Sequence, residues 1–213
     1  MSLETPIVFI IFNRPRHTRK TFEAIRLQRP KQLFIVADGP RKAHPTDDEN
    51  CLQVREIVAK IDWPCDVHRN YVEQNLGCKQ RVNSGLDWVF TLVERAIILE
   101  DDCLPNPDFF SFCETLLERY QDNEQIMTIT GNNFQNGHRR GDADYYFSKY
   151  AITGEVLVLT VKLKTNQILS GKLIYSLISG EQCDNANLPC TPYFNSALKE
   201  YRLNIWWLMY SVK

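Results

Sequence analysis

The chain has no apolar run approaching the ~20 residues that a membrane span requires, so no transmembrane segment is predicted. Nor does it begin like a secretory leader: Pro6 to Phe12 is apolar, but short, and it follows an acidic rather than a basic start. Excess charge of one sign is also missing. Against 25 Lys and Arg stand 26 Asp and Glu, a formal net charge of −1, which leaves no basic footprint for nucleic acid or an anionic membrane surface. The seven cysteines are an odd number with no CxxC pair, which argues against a disulfide framework or a zinc knuckle. Isolated buried thiols in a reducing cytoplasm fit this usage, so a cytoplasmic location is expected. His17, His44, His68 and His138 are scattered without ligand spacing such as HExxH, so a histidine zinc site is not expected. Glycine-rich phosphate loops, internal repeats and low-complexity tracts are absent. The 213 residues, 44% apolar and 24% charged, have ordinary globular composition and can bury a substantial core.

The most informative stretch is Arg95-Ala-Ile-Ile-Leu-Glu-Asp-Asp-Cys-Leu-Pro105. Ala96 to Leu99 is a short apolar run with β-branched residues, the pattern of a strand buried on both faces. It stops in Glu100, Asp101 and Asp102, and Pro105 and Pro107 then force a loop. Three adjacent carboxylates repel one another and call for positive charge. Mg²⁺ or Mn²⁺ arriving with a phosphorylated substrate would supply it, because hard cations prefer carboxylate and phosphate oxygens. The alternative is a solvated acidic turn before the next helix.

Taken in order, the chain alternates β and α. Pro6 to Phe12 reads as a buried strand, and Thr18 to Leu27 as a helix with Phe22, Ile25 and Leu27 inward. Leu33 to Ala37 reads as a second buried strand ending in Asp38-Gly39-Pro40. Strand, helix, strand at this spacing predicts a parallel, right-handed βαβ unit. Arg41 to Asn50 reads as a polar loop leading to a helix over Cys51 to Ile61. Asp66 to Tyr71 is expected as a short strand, Asn75-Leu-Gly77 as a turn, and Cys78 to Glu94 as a helix. After the acids come a helix over Asp108 to Tyr120 with an aromatic inner face, and a strand over Ile126 to Thr130. The pattern predicts a doubly wound, three-layer α/β/α domain with a mostly parallel sheet. Asn13, Asp38, Asp102 and Asn132 all follow predicted strands, so the strand-end rule collects them on one rim.

Phe9-Ile-Ile-Phe-Asn-Arg-Pro15, Val36-Ala-Asp-Gly-Pro40, Asn75-Leu-Gly-Cys78 and Ile98-Leu-Glu-Asp-Asp-Cys-Leu-Pro105 occur in that order. Together they resemble nucleotide-sugar-dependent glycosyltransferases of the GT-A fold, in particular bacterial sugar transferases, some of which carry a hemolytic-protein label. Leu99 to Phe110 is also similar to the Glu-Asp-Asp segment of animal N-acetylglucosaminyltransferase I. The resemblance spans roughly Pro6 to Tyr150. It implies a metal-dependent transferase that takes a nucleotide diphosphate sugar as donor and a sugar or glycan as acceptor. It further implies Asn13 and Arg14 beside the base and ribose, and Asp38 accepting a hydrogen bond from the base. Asn75 and the following helix start, with Lys79 or Arg81, would approach the diphosphate. Glu100 and Asp101 would hold the ribose or shape the loop, and Asp102 would bind Mn²⁺ or Mg²⁺.

Beyond Tyr150 the chain departs from that pattern. The family continues into a Trp-Gly-Trp stretch, whereas Ala151 to Gln167 contains no tryptophan. The expected division is a nucleotide-sugar-binding half, residues 1–150, and an altered, incomplete acceptor-side region, residues 151–213. A locally altered reading frame with truncation is the expected cause. The base that deprotonates the acceptor stays unassigned among Asp142, Asp144, Glu155, Glu181 and Asp184, so a nucleotide-sugar-binding protein impaired in transfer is the second expectation.

Overall fold

The structure is a computed structural model, described here for residues 2–123, 126–131, 145–148, 158–162 and 203–207. Its order is β1 (Ile7–Ile11), α1 (Pro15–Gln28), β2 (Gln32–Ala37), α2 (Asp47–Ala59), β3 (Asp66–Tyr71), α3 (Cys78–Val89), β4 (Arg95–Glu100) and α4 (Pro107–Arg119). Then follow β5 (Ile126–Thr130), β6 (Tyr145–Ser148), β7 (Val158–Lys162) and β8 (Leu203–Trp207). The strands form one sheet in the order β3-β2-β1-β4-β7-β5-β8-β6. β3, β2, β1 and β4 are mutually parallel. β7 runs antiparallel between β4 and β5, and β8 pairs parallel with β5 and antiparallel with β6.

Every residue of β1 is buried, as are Ala96 to Leu99 of β4, because helices cover both faces of the parallel strands. Alternation along each strand divides the core in two. Ile7, Phe9, Ile35 and Leu99 face α1, α2 and α4, while Val8, Phe34, Val36 and Ile98 face α3. The three-layer, doubly wound architecture expected from the sequence is therefore present. Burying each large side chain contributes about 1.5–3 kcal/mol, so these two layers dominate the cohesion of the parallel half.

Several helix limits differ from the sequence reading. α1 begins at Pro15, whose fixed φ suits the first helical position, and it buries Thr18, Thr21, Phe22 and Ile25. Leu27 was expected inward but is 74% exposed, because it falls off the face that Phe22 and Ile25 share. α2 begins at Asp47 rather than Cys51. Asp47, Asp48 and Glu49, read as loop, form its first turn, where the helix dipole favours negative charge. α3 stops at Val89, and Thr91 Oγ1 donates to Trp88 O at 2.7 Å as the chain turns toward β4. α4 starts with Asn106 as its cap, the side chain accepting from Asp108 N at 3.0 Å. No helix among the described residues is long and apolar enough to cross a membrane.

Candidate functional site

From β1 the chain winds outward to β2 and β3, then returns to place β4 on the other side of β1. That reversal opens a crevice at the carboxyl ends of β1 and β4, the place where open α/β sheets bind ligands. A cleft of about 270 Å³ lies there, lined by residues that include Phe12, Arg14, Asp38, Asn75, Glu100 and Asp101. Of the residues expected on this rim, Arg14, Asp38, Glu100 and Asp101 line the cleft, Asn13 and Asp102 adjoin lining residues in the chain, and Asn132 lies outside the described residues.

The acids differ in environment. Asp101 is 1% exposed; it pairs with Arg14 Nη2 at 2.5 Å and accepts from Phe12 N at 3.4 Å and Thr18 Oγ1 at 3.5 Å. Its backbone oxygen accepts from Thr21 Oγ1 at 2.9 Å. Burial raises the Asp101 pKa above the usual carboxylate range, and Arg14 offsets only part of that. Glu100 lines the cleft, and no described side chain pairs with its carboxylate. Burial, then the charges of Asp102 and Asp101, push its pKa up. Asp102 is a third exposed; its Oδ2 meets Arg14 Nη1 at 2.6 Å, and Cys103 Sγ lies 3.8 Å from Oδ1. Arg14 therefore bridges Asp101 and Asp102. Burial works against its charge, but the two carboxylates more than offset this and hold its pKa above the ordinary value.

Asp38 plays a different part from the base contact that the resemblance implies. Its Oδ1 accepts from Gly39 N and Leu76 N, both at 2.9 Å, and its Oδ2 from Asn75 Nδ2 at 3.0 Å and Gly77 N at 3.1 Å. A carboxylate offers about four acceptor positions, so all are occupied, and Asp38 pins the β3–α3 connection against β2. Two glycines make this possible. A Cβ on Gly39 would lie 2.6 Å from the Glu73 backbone, and Gly77 has φ +80° at the head of α3.

Arg81 also faces inward. It is 3% exposed and donates from Nε to Ala37 O at 3.0 Å, from Nη1 to Ser84 Oγ at 3.2 Å, and from Nη2 to Asn70 O and Oδ1 at 2.5 and 2.8 Å. Burial lowers its pKa, with Asp38 acting the other way. The guanidinium ties α3 to the ends of β2 and β3, leaving little with which to hold a diphosphate. Lys79 lies outside the cleft wall, on an open depression shared with Gly77, Asn83 and Asp87.

Two residues that sequence reasoning left in a polar loop belong to the site. Asp47 is buried, accepts from Asn13 Nδ2 at 2.7 Å, and pairs with Arg41 Nε at 2.7 Å. Arg41's hydrogen bonds, together with Asn13's, hold the Asp47 carboxyl well below the usual range against the effect of burial. Arg41 lines the cleft. Thr46-Asp-Asp-Glu49 matches a capping-box pattern and so signals where α2 starts, although Thr46 makes no side-chain cap hydrogen bond and the pattern says nothing of the pairing with Arg41.

The rim offers a divalent cation few protein ligands. Among the described residues no three His, Cys, Asp or Glu side chains converge on a common point. Asp102 could serve as a single carboxylate ligand whose remaining partners are phosphate oxygens and water, an arrangement suited to Mg²⁺ and Mn²⁺.

No family model matches the chain, and no match was found among curated proteins. Solved structures do resemble it. The 4-diphosphocytidyl-2C-methyl-D-erythritol synthase of Anaerococcus prevotii superposes with a TM-score of 0.51 at 11% identity, over 99% of this chain and 92% of that one. The fold is of the GT-A type. Two weaker likenesses, both at 11% identity, are a Pyrobaculum calidifontis mannosyltransferase in complex with GDP-Man and Mn²⁺, and S. aureus TarS. Their TM-scores are 0.43 and 0.47, over 62% and 75% of this chain. The chain spans only 36% and 47% of those two proteins. The GT-A likeness concerns the fold alone.

Proposed function

We propose that the chain binds a nucleotide diphosphate sugar in the strand-end cleft and transfers the sugar to a glycan or other hydroxyl acceptor. The observation that carries this reading is the cleft at the β1/β4 reversal, with Glu100 and Asp101 on one flank, Asp102 next to them in the chain, and the Asp38-braced turn on the other. Asn13, Arg14 and Asn75 would contact the nucleotide, with Lys79 at the outer rim. Glu100 suits a ribose hydroxyl, since it lines the cleft and hydroxyls are donors to a carboxylate. Asp38, Arg81 and Asp101 act by holding the walls in place. Asp102 would hold Mn²⁺ or Mg²⁺, which when bound supplies Lewis-acid stabilisation to the diphosphate leaving group. Arg14, already on Asp102, would add a fixed positive charge beside the same group.

Nucleotidyl transfer on a related fold requires backbone N–H groups to cradle a triphosphate. Here the β1–α1 connection is Phe12-Asn-Arg14 followed by Pro15, without glycine. Phe12 N–H is already given to Asp101 and proline has none, which favours the diphosphate-sugar reading. Asp142, Asp144, Glu155, Glu181 and Asp184, from which a base for the acceptor hydroxyl was expected, lie outside the described residues. If none serves, the chain would bind donor without transferring sugar.

Calorimetric titration of UDP and GDP, with Mn²⁺ and then with EDTA, tests the proposal. Binding with Mn²⁺ should be lost in EDTA and in Asp102→Ala. Binding that survives both would remove Asp102 from metal duty, and no binding under any condition would end the nucleotide reading.

A further inference from the structure

Arg41 presents a donor group in the cleft that the resemblance does not assign. Its guanidinium lies over the Phe12 ring, 5.4 Å from the centroid. One edge is spent on Asp47, with Nε to Oδ2 at 2.7 Å and Nη2 to Oδ1 at 3.1 Å. Asp47 is itself fixed: its side chain is 2% exposed and accepts from Arg41 N at 3.1 Å and Asn13 Nδ2 at 2.7 Å. A buried carboxylate on one edge and an aromatic ring against one face leave the guanidinium little freedom. Its far edge, formed by Nη1 and the second N–H of Nη2, meets no acceptor among the described residues. Arg41 lines the cleft with its side chain 43% exposed, so two parallel N–H groups remain for a ligand there.

Position decides what they would meet. Arg41 and Asp38 follow β2, the acids follow β4, and β1 lies between them. The acid flank is the end for a cation and phosphates, so the β2 flank is left for the base. Asp38, on that flank, has no acceptor position to spare.

We propose that Arg41 reads the nucleotide base, as a two-pronged donor for a base edge bearing two adjacent acceptors. The inference rests on the nucleotide-binding reading above and adds the class of base. Guanine presents O6 beside N7, and cytosine presents O2 beside N3. Uracil interposes its N3–H between two carbonyls, and adenine sets an amino donor beside N7. Uracil would also need an acceptor for N3–H, which Asp38 cannot give without losing one of the bonds that brace Asn75 to Gly77.

Calorimetry on the full chain with Mn²⁺ and GDP, CDP, UDP or ADP tests this. GDP or CDP should bind more tightly than UDP and ADP by about fivefold or more, the discrimination expected of one bidentate contact. Replacing the preferred nucleotide by 7-deaza-GDP or 3-deaza-CDP, which lack one acceptor, should erase that margin without altering the protein. Arg41→Lys, which keeps the charge opposite Asp47 but not the fork, should erase it too, the affinity of GDP or CDP falling by a larger factor than that of UDP. Equal binding of all four nucleotides would overturn the inference and leave the nucleotide reading intact. So would a deaza analogue that binds like its parent. An Arg41→Lys loss shared equally by every nucleotide would assign the guanidinium to phosphate and also overturn it. Binding of none would overturn both.

Discussion

Glu100 and Asp47 are both carboxylates at the cleft, yet they respond to pH in opposite senses. Asp47 has its pKa lowered by Arg41, so its contribution to stability is present above the ordinary carboxylate pKa of about 4 and is lost as pH falls below it. Glu100 has its pKa raised by burial and by the neighbouring acids. The folded state then holds its proton more tightly than the unfolded chain, and stability falls as pH rises from about 4 through the raised value. Glu100→Gln should therefore raise stability at pH 7 and flatten that fall, Asp101 keeping part of the slope, while nucleotide affinity drops. Urea denaturation across a pH series reads the first effect and calorimetry the second. A less stable Gln variant at pH 7 would mean that the carboxylate is not strained where it sits. This is the trade expected where a fold keeps an uncomfortable charge for binding. The acids were legible because they end an obvious strand. Arg41 and Asp47 were not, because nothing local in a polar loop says that one carboxylate will be buried and paired.

At the scale of elements, the first five strands read cleanly, while β6, β7 and β8 and the helix ends did not. β3 and β5 match their expected limits, β2 differs by one residue at its start, and β1 and β4 differ by one residue at each end; for β1, β2 and β4 continuous apolar runs admit few alternatives. Helix termini depend on caps, and α2 was misplaced by four residues because its first turn is polar throughout. Contacts between elements were not legible either. Gly85, within α3, would carry a Cβ only 2.4 Å from Val36 Cγ1 of β2, so the helix lies on the sheet at a distance only glycine permits. Gly85→Ala gains helix propensity of about 1 kcal/mol, but it overpacks a buried β-branched side chain at a typical cost of about 1–3 kcal/mol. The expected net effect is a lower midpoint in urea and weaker nucleotide binding, because α3 carries Gly77 and Arg81 to the cleft. An unchanged midpoint would show that α3 can lift without consequence.

On the scale of the whole molecule, the division at Tyr150 expected from the change in sequence pattern meets a single sheet. β7, from beyond that point, pairs Val158 to Lys162 with β4, whose Ala96 to Leu99 are buried. β5, from before it, pairs among the described residues with β7 and β8. The connection is nonlocal, which is why alternation of apolar residues along the first half gave no hint of it. A chain ended at Tyr150 would leave one edge of β4 unpaired beside a fully apolar run, a template for association with another chain. It would also leave β5, with the buried Ile129 that α4 packs against, without a ladder partner. Such a chain should associate or collapse without fixed packing, seen as early elution from a sizing column and lost amide protection in β4 and β5. Should it instead run as a monomer with β1 to β4 protected, the parallel half would be a folding unit of its own. The cleft, which takes its described lining from that half alone, could then be studied without the residues beyond Tyr150.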